Sequence, residues 1–137
     1  MDLLDVRAEE ALKDATEARE RAYAPYSGFK MGAAVVTDCN SVVPGALVEN
    51  VSLGLAMCAE RAALFGVVAR GLGRPEILTL VSRRTSGELT WPCGACLQVA
   101  LELGGSEILV VVSDGKGHVG QARLHELAGR LPFKGER

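Results

Sequence analysis

Cysteine opens two apolar stretches of this chain, MCAERAAL at positions 57–64 and WPCGACLQ at 91–98. Each stretch places a thiol where the first turn of a helix is predicted, and the positive end of a helix dipole favours the thiolate. Cys93 and Cys96 are spaced to grip one ion from a turn entering a helix, and Cys58 comes from the other helix start. Three protein ligands suit a catalytic zinc, because the fourth tetrahedral position stays free for water. Three thiolates on Zn²⁺ leave a formal charge of −1, which weakens the ion as a Lewis acid. Arg61, one turn after Cys58, is placed to hydrogen-bond the sulfurs and offset that charge. Glu60 is not needed as a ligand, and beside a metal-activated water it can take a proton and return it elsewhere.

Each piece alone has a plainer reading. A single cysteine is usually packing, a glutamate in a helix is usually solvated, and an arginine is usually a surface charge. Cys39, in a polar turn, is expected to have no role in the chemistry. Two other classes remain in view. In one, Cys39 supplies a fourth thiolate and the protein is a noncatalytic zinc domain. In the other, WPCGAC is a thiol redox motif, although Pro92 separates its tryptophan from its first cysteine. The joint occurrence of C-x-E and C-x-x-C, each opening a helix between strands, favours a zinc enzyme.

The elements that must position these groups follow from periodicity. Ala8, Ala11, Ala15, Ala18 and Ala22 form a narrow small-residue stripe on a helix that ends before Pro25. YSGFK (26–30) reads as a loop. MGAAVVT (31–37) and VVPGALVEN (42–50) read as strands joined by the turn DCNS, with Pro44 and Gly45 marking a bulge or an edge. CAERAALFGVVARG (58–71) is apolar nearly all round, so it is predicted as a buried helix. EILTLVS (76–82) and EILVVVS (107–113) are apolar strands on either side of a second helix, PCGACLQVALELGG (92–105). Apolar strands separated by a helix imply parallel pairing with both faces covered. The turn SDGKGH (113–118) is too short for a parallel crossover, so the last strand, about Val119–Arg123, is predicted antiparallel to its predecessor. A short helix at about Leu124–Arg130 closes the chain. The expected fold class is α/β, a three-layer α/β/α arrangement with a mixed five-stranded sheet, in one domain over residues 1–137.

Composition narrows the function. The 137 residues carry 17 acidic and 15 basic side chains, a net charge of −2, so no electrostatic footprint for nucleic acid or a membrane surface is present. No apolar run approaches the length of a membrane span. The N-terminal stretch MDLLDVRAEEALKDATEARERA is too charged for a signal peptide, so a cytoplasmic location with reduced cysteines is expected.

The combination of motifs resembles the zinc-dependent cytidine deaminases, in particular the small type acting on free nucleosides. AYAPYSGFKMGAAV is similar to that family's N-terminal segment, VENVS to the segment that holds the ribose, and CAERAAL and PCGACLQV to its two zinc motifs. The resemblance implies one zinc per chain on Cys58, Cys93 and Cys96. It implies that Glu60 deprotonates the attacking water, protonates N3 of the base and later delivers a proton to the leaving amine. It further implies that Phe29 contacts the base, that Glu49 accepts from the ribose 3′-hydroxyl, and that the backbone of Ala59 meets the exocyclic amine. A homotetramer whose sites are completed across subunits, and a place in pyrimidine salvage, are implied in the same way.

The chain departs from the family pattern at three positions. Leu47 stands where asparagine is usual two residues before the ribose-binding glutamate. Leu53 stands for a tyrosine and Leu97 for an arginine. The C-terminal RLPFKGER matches only in part, which leaves open whether Phe133 reaches a neighbouring site. Leu47 lies two residues from Glu49 on a predicted strand, so it is expected to line the same pocket without offering a hydrogen bond. These departures bear on the substrate, with cytidine or deoxycytidine the expected one and a blasticidin S-like aminonucleoside the alternative.

Overall fold

A computed structural model of the chain describes residues 5–134. The first four residues of the charged N-terminal stretch and the last three of RLPFKGER lie outside the described residues.

The alanine stripe forms helix α1 (Val6–Glu20), capped by Asp5, whose carboxylate accepts the Arg7 N–H at 2.8 Å. Ala8, Ala11, Ala15 and Ala18 are buried against the sheet. The small side chains let the helix lie very close: a Cβ on Gly32 of β1 (Met31–Thr37) would sit 2.1 Å from the Ala15 carbonyl oxygen. β2 (Val42–Ala46) pairs antiparallel with β1 and places Pro44 on the sheet edge, where its missing N–H is not needed. Helix α2 (Ala59–Arg70) ends at Gly71, which adopts the left-handed conformation. β3 (Pro75–Ser82), α3 (Gly94–Gly104), β4 (Leu109–Ser113), β5 (Val119–Arg123) and the single turn α4 (Leu124–Leu127) complete the elements.

Among the described residues the strands form one five-stranded sheet in the order β2-β1-β3-β4-β5. β3 and β4 are parallel, and β5 returns antiparallel to β4, as the short turn requires. β1 lies antiparallel to both β2 and β3, because the hairpin reverses the chain before α2 crosses over. The alternation of each strand divides the core. Val35, Leu78, Leu80, Val110 and Val112 face α2 and α3, whereas Ala34, Val36, Ile77, Val81 and Val111 face α1. The result is the expected three-layer α/β/α arrangement.

The strand expected over 107–113 begins at Leu109, and two other expected elements end early in the structure. β2 stops at Ala46 instead of continuing to Asn50, because the backbone beyond leaves the ladder for other partners. The Leu47 carbonyl accepts from Tyr23, and Val48 bridges to Tyr23 and Met57. The last helix ends at Leu127 instead of Arg130. Ala128 is already extended there, and the Pro132 carbonyl accepts from the Gln98 amide at 2.8 Å, drawing the chain along α3.

Candidate active site

The start of β1 and the ends of β2, β3 and β4 lie at one end of the sheet, because Gly32 pairs with Ala46, Met31 with Ser82, and Val81 with Ser113. Helices α2 and α3 begin at this end, with Cys58 and Cys93 as their N-cap residues. A Cβ on Gly45 would sit 2.4 Å from the Ala59 carbonyl oxygen, so that glycine lets the start of α2 settle onto β2. Cys96 occupies the first turn of α3 and is fully buried.

Among the described residues Cys58, Cys93 and Cys96 form a group whose sulfurs all lie within 4.8 Å of one another, and Cys93 Sγ is 3.5 Å from Cys96 Sγ. Zn–S bonds of about 2.3 Å at tetrahedral angles set sulfurs about 3.8 Å apart, so the set fits one ion. The protonation chemistry agrees. The Cys58 thiol is lowered to about 5, chiefly by its hydrogen bond with Cys96, with further help from Arg61. Cys96 is pushed up by that same bond and by burial. Close-set thiols of this kind give up their protons when a dication binds. Cys39 is not among them. It lies in the β1–β2 turn, donating to the Leu72 carbonyl at 2.7 Å, so a four-thiolate site lacks its fourth ligand.

Arg61 Nη2 donates to Cys58 Sγ at 3.3 Å, the contact expected of a charge-compensating residue. That bond also raises the guanidinium further above its already high range. Glu60 is only 2% exposed, and its carboxyl is raised to about 7, first by burial and then by the neighbouring Cys58 thiolate, against the pull of its own backbone N–H. Among the described residues Glu60 Oε1 and Arg61 Nε are the buried side-chain polar atoms without a hydrogen-bond partner. A buried carboxylate oxygen left unpaired beside three thiols fits a site whose remaining partners are an ion, water and substrate.

Of the other expected residues, Glu49 and Phe29 meet at the 26–30 loop. The Glu49 carboxylate accepts the N–H groups of Tyr26 at 3.0 Å and Ser27 at 3.2 Å, together with a short bond from the Ser27 hydroxyl. These bonds, the hydroxyl first, hold its carboxyl below the usual range. Three bonds leave one of roughly four carboxylate acceptor positions free. Ser27 Oγ also accepts the Phe29 N–H at 3.0 Å, so Glu49 positions Phe29 through Ser27. Leu47 and Glu49 are partly buried and Val48 between them is exposed, so the strand-like alternation persists beyond β2. Leu53 is 87% exposed in a short 3-10 turn (Leu53–Leu55), and Leu97 is buried in the core on the inner face of α3. Ala59 is fully buried at the start of α2, with its carbonyl against Gly45. Phe133 is exposed.

Sequence reasoning did not assign two contacts. Arg83 lies over the Phe29 ring, 4.3 Å from its centroid, and Ser27 links Glu49 to Phe29. The basic pair in VSRRTSG, directly after an apolar strand, is the signal that marks Arg83.

A mixed sheet whose helix N-termini bring three thiols against a buried carboxylate defines a metal-binding α/β protein. The family model described as the cytidine and deoxycytidylate deaminase zinc-binding region matches residues 6–112. The chain is 47% identical over 97 residues to the cytidine deaminase of Mycobacterium tuberculosis (strain ATCC 25618 / H37Rv), which is 71% of each chain. It is 39% identical over 116 residues to that of Halalkalibacterium halodurans, covering 85% of this chain and 86% of the relative. The crystal structure of cytidine deaminase from Burkholderia pseudomallei superposes with a TM-score of 0.82 at 42% identity, over 88% of this chain and 95% of that one. The chain belongs to the cytidine and deoxycytidylate deaminase zinc-binding family. That membership favours the zinc enzyme over the redox and noncatalytic zinc readings.

Proposed function

We propose that this protein is a single-domain enzyme, spanning residues 1–137, that hydrolyses cytidine or deoxycytidine to uridine or deoxyuridine and ammonia. The observation that carries the reading is the convergence of the Cys58, Cys93 and Cys96 sulfurs beside the unpaired, buried Glu60 carboxylate. In this reading the three cysteines hold one zinc, which supplies the Lewis acidity that makes water a competent nucleophile near neutral pH.

Glu60 takes a proton from the attacking water and gives it to N3 of the base, then takes the remaining proton from the hydroxyl added at C4 and gives it to the amine as the C4–N bond breaks and C4=O forms. Its raised carboxyl suits both directions of transfer. Arg61 offsets the thiolate charge through Cys58. Phe29 lies against the base, and the backbone of Ala59 meets the exocyclic amine. Glu49 offers its remaining acceptor position to the ribose 3′-hydroxyl, and Leu47 lines the same pocket without a polar contact. Water adds at C4 and ammonia departs, so the hydrolysis balances without a further reactant.

We also propose a homotetramer. Phe65 and Val68 of α2, with Val99 and Leu103 of α3, line an apolar groove of about 470 Å³, and Val51, Leu53 and Leu55 form a second exposed apolar set. Apolar surface of this kind favours association with further copies. Among the described residues no helix is long and apolar enough to cross a membrane. A cytoplasmic place in pyrimidine salvage suits a site built on reduced thiols.

The test is ammonia release by zinc-loaded protein from cytidine, deoxycytidine, 5-methylcytidine, blasticidin S and non-pyrimidine amines. Turnover of cytidine or deoxycytidine is the expected result. Turnover of none of the pyrimidine nucleosides would remove the reading.

A further inference from the structure

On the α1 side of the same sheet end, Arg19, Arg83, Arg84 and Lys116 line a cavity of about 310 Å³ together with Asp114 and Gly115. Asp114 is the one carboxylate in this lining, and its bonds are taken. It accepts from Arg84 Nε at 3.1 Å and from the Lys116 N–H at 2.8 Å, and it bonds His118 Nδ1 at 2.7 Å. It therefore fixes Arg84 and the β4–β5 turn but neutralises a minority of the charge. Arg19 Nε is tied to the Lys30 carbonyl at 3.1 Å, which holds the guanidinium at the cavity wall. Among the described residues no carboxylate pairs with Arg19, Arg83 or Lys116.

Cations gathered around one concavity repel each other, and a multivalent anion relieves that repulsion. Guanidinium forks match the tetrahedral face of a phosphate better than that of a monovalent ion. The cavity is linked to the nucleoside side through Arg83, which lines it while lying over Phe29.

We propose that this pocket binds phosphate, free or as a phosphate monoester, and that its occupancy alters nucleoside binding by engaging Arg83 at the Phe29 ring. The binding stands on the cavity itself, and the coupling rests on the reading of Phe29 as a base contact.

Zinc-loaded protein is titrated with inorganic phosphate and with cytidine 5′-monophosphate at constant ionic strength, by calorimetry and ³¹P line broadening. Saturable binding of one phosphate per chain is expected. Charge-assisted hydrogen bonds of about 1.5–3 kcal/mol predict about a tenfold or greater loss in Lys116→Glu and in the double variant Arg19→Gln/Lys116→Gln. Arg70→Gln, far from the cavity, should bind phosphate as wild type does. Lys116 stands on an exposed turn, so Lys116→Glu keeps the test valid if the double variant folds poorly. Phosphate binding that persists under saturating cytidine identifies free phosphate as the occupant. Competition between the monophosphate and cytidine, weakened in Lys116→Glu, instead identifies a nucleotide's own phosphate, and either result supports the site. No saturable binding, or equal affinity in Lys116→Glu, would overturn it. A cytidine KM indifferent to bound phosphate would overturn the coupling alone. Because binding is read without turnover, failure of the deaminase reading leaves a distinct signature.

Discussion

Replacing Glu60 with glutamine isolates proton transfer from everything else at the site. The side chains are nearly isosteric, and Glu60 is buried at the start of α2, so the amide fits the same space. Oε1 has no hydrogen-bond partner to lose, so fold and zinc content should be unchanged. The amide cannot accept the water proton or return one to the leaving amine. A positioned acid–base group contributes about 10²- to 10⁴-fold, which corresponds to about 3–5 kcal/mol of activation free energy. One residue serving successive transfers belongs at or above the upper end of that range. The assay is kcat for cytidine by ammonia release, with zinc content and melting temperature measured on the same preparation. A folded, zinc-loaded Glu60→Gln variant keeping more than about a tenth of wild-type kcat would refute the assignment of the shuttle.

Cys93→Ala should lose most of its zinc by metal analysis while Cys39→Ser retains it, because Cys93 belongs to the sulfur cluster and Cys39 does not. Leu47→Asn should raise discrimination between cytidine and its 3′-deoxy analogue severalfold, since one added hydrogen bond is worth about 0.5–1.5 kcal/mol, or about 2- to 12-fold; an unchanged ratio of kcat/KM would place Leu47 away from the ribose. Burial pushes the Asp114 carboxyl up, but the Lys116 N–H, the His118 ring and Arg84 outweigh it and hold it below the usual range. Asp114 therefore stabilises the fold above its unfolded value, and that contribution fades as pH falls through the lower folded value. Asp114→Asn should lower the melting temperature at pH 7, and the gap from wild type should narrow below about pH 4.

How much could be read in advance depended on where the deciding contacts lay. The alanine stripe of α1 shows its period within one helix, and the three cysteines are legible because two short motifs carry them. The orientation of β5 followed from a turn too short for any other connection. The early end of β2 did not, because Leu47 and Val48 continue its apolar run and the bridges to Tyr23 and Met57 are set by tertiary structure. The last helix ends early for a similar reason, its expected final turn being replaced by a contact between Pro132 and Gln98, 34 positions away. Glu60 looks like a solvated helix residue until α2 is docked and buries it. The contacts of Glu49 with Tyr26 and Ser27, and of Arg83 with Phe29, join segments whose proximity no local pattern encodes.

If one ion on Cys58, Cys93 and Cys96 makes this chain a nucleoside deaminase, activity must follow the metal. Activity measured against bound zinc tests it most directly. Metal-depleted protein is reconstituted with increasing zinc, and cytidine turnover and bound metal are followed in the same samples. Turnover should rise in proportion to bound zinc and level off at about one ion per chain. Full turnover in fully depleted protein, or none at one bound zinc per chain, would contradict it.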